Sequence, residues 1–149
     1  MTSESSASSI DTIADECIAV RMRMLNRAIT NLYDEALRPL GLKVSQMNIL
    51  VAAGKMGTAR PAEICEQLHL TVSTLSRNVE RMKAKGWLET VPDTDGRAQP
   101  FRLTVAGRQL LDKAAPKWRD AQHQASQILG DRAIKQLKQA VNRLHSETS

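Results

Sequence analysis

The amino-acid sequence predicts a mainly α-helical protein with one short two-stranded β-hairpin. Apolar residues recur at helical spacing at both ends and in the middle of the chain, and 42% of its 149 residues are hydrophobic. In the second half of the middle region, two short apolar runs flank an Asp-Gly turn, which is typical of a β-hairpin. A chain of this length is expected to form one domain or one intertwined subunit.

The first nine residues are rich in serine, and we expect residues 1–9 to form a flexible tail. This segment lacks the apolar centre of a signal peptide, and no run in the chain approaches 18 apolar residues. The sequence therefore predicts a cytoplasmic protein with no membrane partner.

One long helix is predicted from Asp11 to about Leu37, where Pro39 and Gly41 follow as helix-ending residues. Its apolar stripe repeats at intervals of three and four residues and consists of Ile18, Met22, Leu25, Ile29, Leu32 and Ala36. A second helix is predicted over residues 45–55, with Ser45 as its cap.

A short helix should begin at Pro61, because proline suits a first helical position where no backbone N–H is needed. After a tight turn, Thr71 is expected to cap a longer helix that reaches Lys85 and ends at Gly86. A short helix, a tight turn and a longer basic helix form the helix-turn-helix pattern.

The helix from Thr71 to Lys85 is strongly amphipathic. Its apolar side is expected to contain Leu75, Val79 and Met82, widened by Val72. The opposite side presents small hydroxyl groups first and guanidinium groups after them: Ser73, Thr74, Arg77 and Arg81. Short hydroxyl side chains allow a helix to approach a DNA groove, and arginines reach guanine edges or phosphates.

Two strands follow this helix, at residues 86–91 and 101–104, with Asp95-Gly96-Arg97 in the turn between them. A helix-turn-helix followed by a hairpin is a winged helix. The sequence thus predicts a mainly α fold with a two-stranded wing, flanked by long helices at both termini.

The run from Pro61 to Thr104 resembles the MarR family of bacterial transcription regulators. The most specific match is Asp95-Gly96-Arg97, which fits the Asp-x-Arg signature of that family's wing. The resemblance implies that Asp95 supports the wing and that Arg97 enters the minor groove of DNA.

The resemblance extends to residues 41–46 and 103–107, and with the flanking helices it spans about residues 11–144. Two positions depart from the family pattern. His69 stands where the turn usually has glycine, and histidine can adopt the left-handed conformation at modest cost. Cys65 stands where a small alanine is usual, and it fits as a buried small residue.

Within the recognition helix, the N-terminal residues should enter the major groove most deeply. We therefore expect Ser73, Thr74 and Arg77 to read bases, with Ser76 at the edge of the contact. Arg81, one turn further on, is expected to lie nearer the phosphates.

The C-terminal helices predicted over residues 105–129 and 132–145 also carry long apolar stripes, which a small winged domain cannot bury alone. Packing against a second copy of the chain would bury these apolar stripes. Residues 10–40 and 105–149 are thus expected to form a dimerisation region, and residues 41–104 the DNA-binding region. A two-fold dimer would bind double-stranded DNA at a pseudo-palindrome.

The charge distribution agrees with a DNA partner. The chain carries a net charge of +5, and the recognition helix alone carries +3 from four basic residues and one acid. A winged helix used only for protein contacts is an alternative, but it would not require Arg77, Arg81 and Arg97 on one side. No motif of an enzyme site is present, so the sequence predicts no catalysis.

Two cysteines and three scattered histidines show no metal-ligand spacing, and neither a metal nor a cofactor is expected. Redox regulation through Cys17 is a further alternative, because residues 27–33 resemble the stretch that follows the sensing cysteine in peroxide-sensing MarR relatives. Alignment on that stretch places Ala19, rather than Cys17, at the reactive position.

By the same resemblance, the function is that of a dimeric repressor released from its operator by a small aromatic or anionic effector. MarR relatives commonly bind such molecules between the dimerisation helices and the DNA-binding lobe. The sequence singles out no effector-binding residue.

Overall fold

The computed structural model describes residues 8–93 and 96–147. Within these ranges the helices are α1 (Ser9–Glu16), α2 (Ile18–Leu37), α3 (Val44–Met56), α4 (Pro61–Leu68), α5 (Val72–Ala84), α6 (Val105–Leu129) and α7 (Asp131–Glu147). A 3-10 turn, Arg38–Leu40, follows α2. The strands β1 (Leu88–Thr90) and β2 (Phe101–Leu103) form an antiparallel pair. The mainly α fold with a two-stranded wing is therefore confirmed.

The N-terminal helix differs from the prediction, because Cys17 interrupts it. Cys17 is extended, with φ −64° and ψ 114°, and it separates α1 from α2. Ile10 and Ile13 of α1 are 80% and 65% exposed, and no residue of α1 is buried. Packing within this chain therefore does not favour one continuous helix over two.

The start of α1 also changes the predicted boundary of the N-terminal tail. Ser8 is the N-cap of α1, and its hydroxyl accepts a hydrogen bond from Asp11 N at 3.2 Å. Ser9 is already helical. The rest of the predicted tail, residues 1–7, lies outside the described residues.

Helix α3 begins one residue earlier than predicted, and Ser45 is not its cap. Its first backbone N–H groups are instead satisfied from two other positions. Val44 N donates to Asp34 Oδ1 of α2 at 2.8 Å, and Lys43 N donates to Gln46 Oε1 at 3.1 Å. Because Asp34 comes from α2, the start of α3 is bonded to the preceding long helix.

An apolar core lies beneath the helix-turn-helix and the hairpin. Its fully buried large side chains are Leu37, Ile49, Leu50, Ile64, Leu75, Met82 and Phe101. Val79 is buried as well, so the predicted inner face of α5 is confirmed. Val72 is 71% exposed and does not belong to that face, contrary to the prediction. Cys65 is half-buried and packs against the core.

The hairpin joins the recognition helix to α6. Leu88 pairs with Leu103 and Thr90 with Phe101, and Ala59 adds an isolated bridge to Phe101. Thr104 caps α6 by accepting a hydrogen bond from Gly107 N at 3.0 Å. Both strands are shorter than predicted, whereas α6 has the predicted bounds.

The terminal helices leave part of their apolar stripes exposed in the single chain. Six such side chains on α2 and α7 are between 41% and 76% exposed: Ile18, Met22, Leu25, Leu137, Val141 and Leu144. An open groove of about 510 Å³ runs between these two helices. Among the described residues, no helix has the length and apolarity that a membrane crossing requires.

Candidate nucleic-acid interface

The turn of the helix-turn-helix is made by His69 and closed by the cap of α5. His69 is left-handed, with φ 52° and ψ 48°, and Leu70 N donates to Cys65 O at 3.0 Å. Histidine thus takes the conformation for which glycine would otherwise be favoured. Thr71 then caps α5, and its hydroxyl accepts a hydrogen bond from Thr74 N at 3.2 Å.

The outer face of α5 presents its predicted polar residues in the predicted order. Ser73, Ser76, Arg77 and Arg81 are exposed, and Thr74 is half-buried. Asn78 also belongs to this face, because its side-chain Nδ2 donates to Thr74 O at 3.1 Å. That bond fixes the Asn78 amide beside Thr74, a feature that its helical spacing from Thr74 would have allowed us to predict.

The hairpin turn lies beside this face. Ser76 and Arg97 line the same small cavity of about 140 Å³ between α5 and the turn, and Arg97 is exposed. The structure therefore brings the wing arginine next to the recognition helix. Asp95, the predicted wing support, lies outside the described residues.

An ion pair at the base of the wing was not predicted. Arg60 Nη1 lies 3.5 Å from Asp93 Oδ2, which connects the residue before α4 to the segment that leaves β1. No local pattern relates Asp93 to Arg60, because the two are distant in the chain.

The basic residues at the end of α5 are directed differently from Arg77 and Arg81. Lys83 Nζ lies 3.5 Å from Glu80 Oε1, so this pair is largely neutral locally. Lys85 Nζ donates to Gly41 O at 3.0 Å and lies 4.6 Å from the centroid of the Trp87 ring. Two of the four positive charges counted in the sequence are thus engaged within the protein.

A second cavity lies on the far side of the helix-turn-helix. It is an open groove of about 520 Å³ between α3, α4 and α6, with Met47, Leu68, Leu111 and Trp118 on its apolar walls. Lys55 contributes the one cation among the residues that line it.

The fold and the exposed face of α5 define the chain as a winged helix protein. Residues 40–98 match the model described as the MarR family. The multiple antibiotic resistance protein MarR of Escherichia coli K12 is 27% identical over 93 residues, which cover 62% of this chain and 65% of that protein. The chain thus matches slightly less than two thirds of that relative's length.

Solved structures share the fold over more of the chain. A mutant form of E. coli MarR complexed with operator DNA has a TM-score of 0.78 at 21% identity, covering 89% of this chain and 96% of that one. The M. tuberculosis transcriptional regulator MOSR in complex with DNA has a TM-score of 0.75 at 28% identity, covering 88% and 98%. Residues 40–98 are thus similar to the MarR family, and the chain shares the fold of these solved structures.

Proposed function

We propose that this protein is a dimeric, sequence-specific DNA-binding transcription regulator, a repressor that a small effector releases from a pseudo-palindromic operator. The observation that carries the proposal is the exposed face of α5, with hydroxyl groups before guanidinium groups and Arg97 beside it. Two similar structures are DNA complexes, which supports the same function here.

In this proposal, Ser73, Thr74 and Arg77 read base edges in the major groove, and Ser76 contacts the edge of the site. Arg81 binds phosphates, Arg97 enters the minor groove, and Asp95 supports the wing. The order along α5 favours these roles, because N-terminal residues of a recognition helix lie deepest in the groove.

Dimerisation is supported by the exposed apolar stripes of α2 and α7. Leu137 and Val141 are 46% and 42% exposed in the single chain, and a second copy would remove them from water. Sedimentation of the purified protein should give about twice 16.5 kDa. Val141→Asp should dissociate or unfold the dimer, because it places a charge in an apolar contact, and a stable wild-type monomer at micromolar concentration would refute this part.

The cavity between α3, α4 and α6 is our candidate for the effector site. Its apolar walls suit an aromatic ring, and Lys55 suits a carboxylate or phenolate. A melting screen against phenolic acids should raise the melting temperature of the wild type. Lys55→Met should reduce the increase in melting temperature that anionic ligands cause. An equal increase in the variant and the wild type would place the effector site elsewhere.

Selection of binding sites from a pool of random duplexes tests the DNA-binding function. The wild-type protein should enrich a pseudo-palindrome whose half-sites are centred about one helical turn apart, or a multiple of it. Enrichment of no sequence would refute the proposal and favour a winged helix that serves protein contacts.

A further inference from the structure

We propose that Lys85 is a positioning residue for DNA binding, which fixes the recognition helix to the turn after α2 and does not itself contact phosphate. This inference rests on the DNA-binding function proposed above. Its starting point is the pair of contacts made by one ammonium group, which donates to Gly41 O at 3.0 Å and lies 4.6 Å from the Trp87 ring centroid.

Lys85 is held rigidly at the end of α5. It is the C-cap residue, and its N–H donates to Arg81 O at 3.2 Å. Gly86 follows in the left-handed conformation, with φ 79°. The backbone N–H of Trp87 then donates a hydrogen bond to Met82 O at 3.0 Å. This closure places the Trp87 ring under the Lys85 ammonium, where a cation and an aromatic face attract each other.

The acceptor lies at a junction between the two parts of the molecule. Gly41 has φ 65°, ends the 3-10 turn after α2, and donates its N–H to Arg38 O at 2.9 Å. Its carbonyl is therefore fixed relative to α2. Lys85 reaches that carbonyl across 44 residues of sequence, so it connects the end of the recognition helix to the end of a proposed dimerisation helix.

This connection has a functional consequence in a dimer. Two recognition helices must be held at one separation and angle to fit two half-sites. A contact between the end of α5 and the end of α2 restricts rotation of each recognition helix relative to its own dimerisation helix. Removing this contact should lower the fraction of molecules in the DNA-competent arrangement, and apparent affinity falls with that fraction.

The geometry separates this role from that of a phosphate-binding lysine. A phosphate contact releases counterions. Removing one therefore makes the slope of log K against log salt concentration shallower by about 0.9. A positioning lysine that donates to a backbone carbonyl makes no phosphate contact, so its removal releases no counterion from DNA. Loss of the contact between Lys85 and Gly41 should therefore weaken binding at every salt concentration by the same factor.

The experiment compares Lys85→Met and Lys85→Arg with wild type on the duplex that the wild-type protein selects. Methionine keeps the aliphatic stem but removes the donor, whereas arginine can still donate and stack. We expect Lys85→Met to bind roughly three- to tenfold more weakly with an unchanged salt slope, and Lys85→Arg to recover most of the affinity. Arg81→Ala is the reference variant, whose slope should fall.

A spectroscopic measurement on the free protein keeps the test independent of DNA. In a Trp118→Phe background, Trp87 is the remaining tryptophan, so its emission should shift in Lys85→Met and return in Lys85→Arg. A slope that falls in Lys85→Met as it does in Arg81→Ala, or an affinity equal to wild type, would overturn the role of Lys85 alone. Failure of the wild type to select any duplex would overturn the DNA-binding function as well.

Discussion

Asp34 of α2 caps the first turn of α3: its Oδ1 accepts a hydrogen bond from Val44 N at 2.8 Å. The N–H of Val44 is one of the groups at the start of a helix that have no partner inside the helix. The bond also joins a proposed dimerisation helix to the proposed DNA-binding region. Asp34 therefore joins the two ends of the short connection after α2, and Lys85 bonds to Gly41 within it.

We expect Asp34→Ala to lower the free energy of unfolding by about 1 kcal/mol, because it leaves the Val44 N–H without its acceptor. Asp34→Asn keeps an acceptor oxygen and should lose about half as much or less. Chemical denaturation at fixed protein concentration measures both. Equal losses would show that the charge of Asp34, rather than its acceptor, supports α3.

Two helical glycines offer a matched comparison of packing. A Cβ at position 107 would lie 2.2 Å from Trp87 O, whereas one at position 54 would lie 2.9 Å from the end of the Leu103 side chain. Trp87 O cannot move away cheaply, because it also accepts a hydrogen bond from Thr104 N at 3.1 Å. The Leu103 side chain can rotate.

Gly107→Ala should therefore destabilise the protein by about 2 kcal/mol or more, through overpacking against backbone. Gly54→Ala should stay within roughly 1 kcal/mol of wild type, because alanine's better helix propensity offsets the displacement of Leu103. Thermal unfolding of the two variants side by side gives the comparison. If Gly54→Ala were the worse variant, the close approach of α6 to Trp87, just before β1, would be disproved.

The sequence predicted the elements whose identity depends on local periodicity and capping. Thr71 caps α5 and α6 begins at Val105 as expected, and Leu75 is buried as expected. The predictions that were wrong depend on contacts, or their absence, between parts of the chain that are distant in sequence. The helices α1 and α2 are separated at Cys17, where no residue of α1 is buried in the single chain, and the cap of α3 comes from another helix.

For the candidate site too, features that depend on local spacing could be predicted and features that depend on distant contacts could not. The exposed face of α5 follows from helical spacing, so its residues could be listed in advance. The engagement of Lys85 by Gly41 and the pairing of Arg60 with Asp93 join residues far apart in the chain. Counting charge along α5 therefore overestimated how many cations are directed outward.

Tyr33 provides a spectroscopic measure of the contact between α2 and α6. Its hydroxyl donates to Gln122 Oε1, and burial raises the pKa of Tyr33 above its usual 10.0. Between the unfolded and folded pKa values, the folded state retains a proton that the unfolded state releases. This contribution to stability is therefore present below about pH 10 and is lost as pH rises above it.

Because Tyr33 is the only tyrosine in the chain, absorbance at about 295 nm follows it alone. The midpoint should lie above 10 in the native protein and return to about 10 in denaturant. Tyr33→Phe provides the blank. Identical midpoints in the two conditions would mean that solvent reaches the phenol freely.

The wing can be tested with two arginines of the same hairpin. Arg97→Ala should weaken operator binding about tenfold with little change in melting temperature, because the side chain is exposed rather than part of the core. Arg102 of β2 is the control: its Nε lies 2.7 Å from Glu89 Oε1, and Arg102→Ala should change affinity by less than about threefold. Anisotropy titrations at one salt concentration measure both, and equal effects would remove the special role of Arg97.

The two exposed arginines of α5 should differ in the kind of contact they make. Arg77 lies in the second turn beside Ser73 and Thr74, where a guanidinium can make a bidentate contact to guanine worth about 1–3 kcal/mol of discrimination. Arg81 lies one turn further on, where a recognition helix passes over the backbone. Its contribution should be independent of sequence and sensitive to salt.

Arg77→Ala should therefore relax the preference for one base pair in each half-site. Arg81→Ala should weaken all sequences by a similar factor and lower the salt slope by about one unit. Repeating the site selection with each variant, and titrating both at several salt concentrations, separates the two effects. If Arg77→Ala retained the wild-type preference and Arg81→Ala lost it, the base-reading position would lie one turn later in α5, and the helix would enter the groove by its middle rather than by its N-terminus.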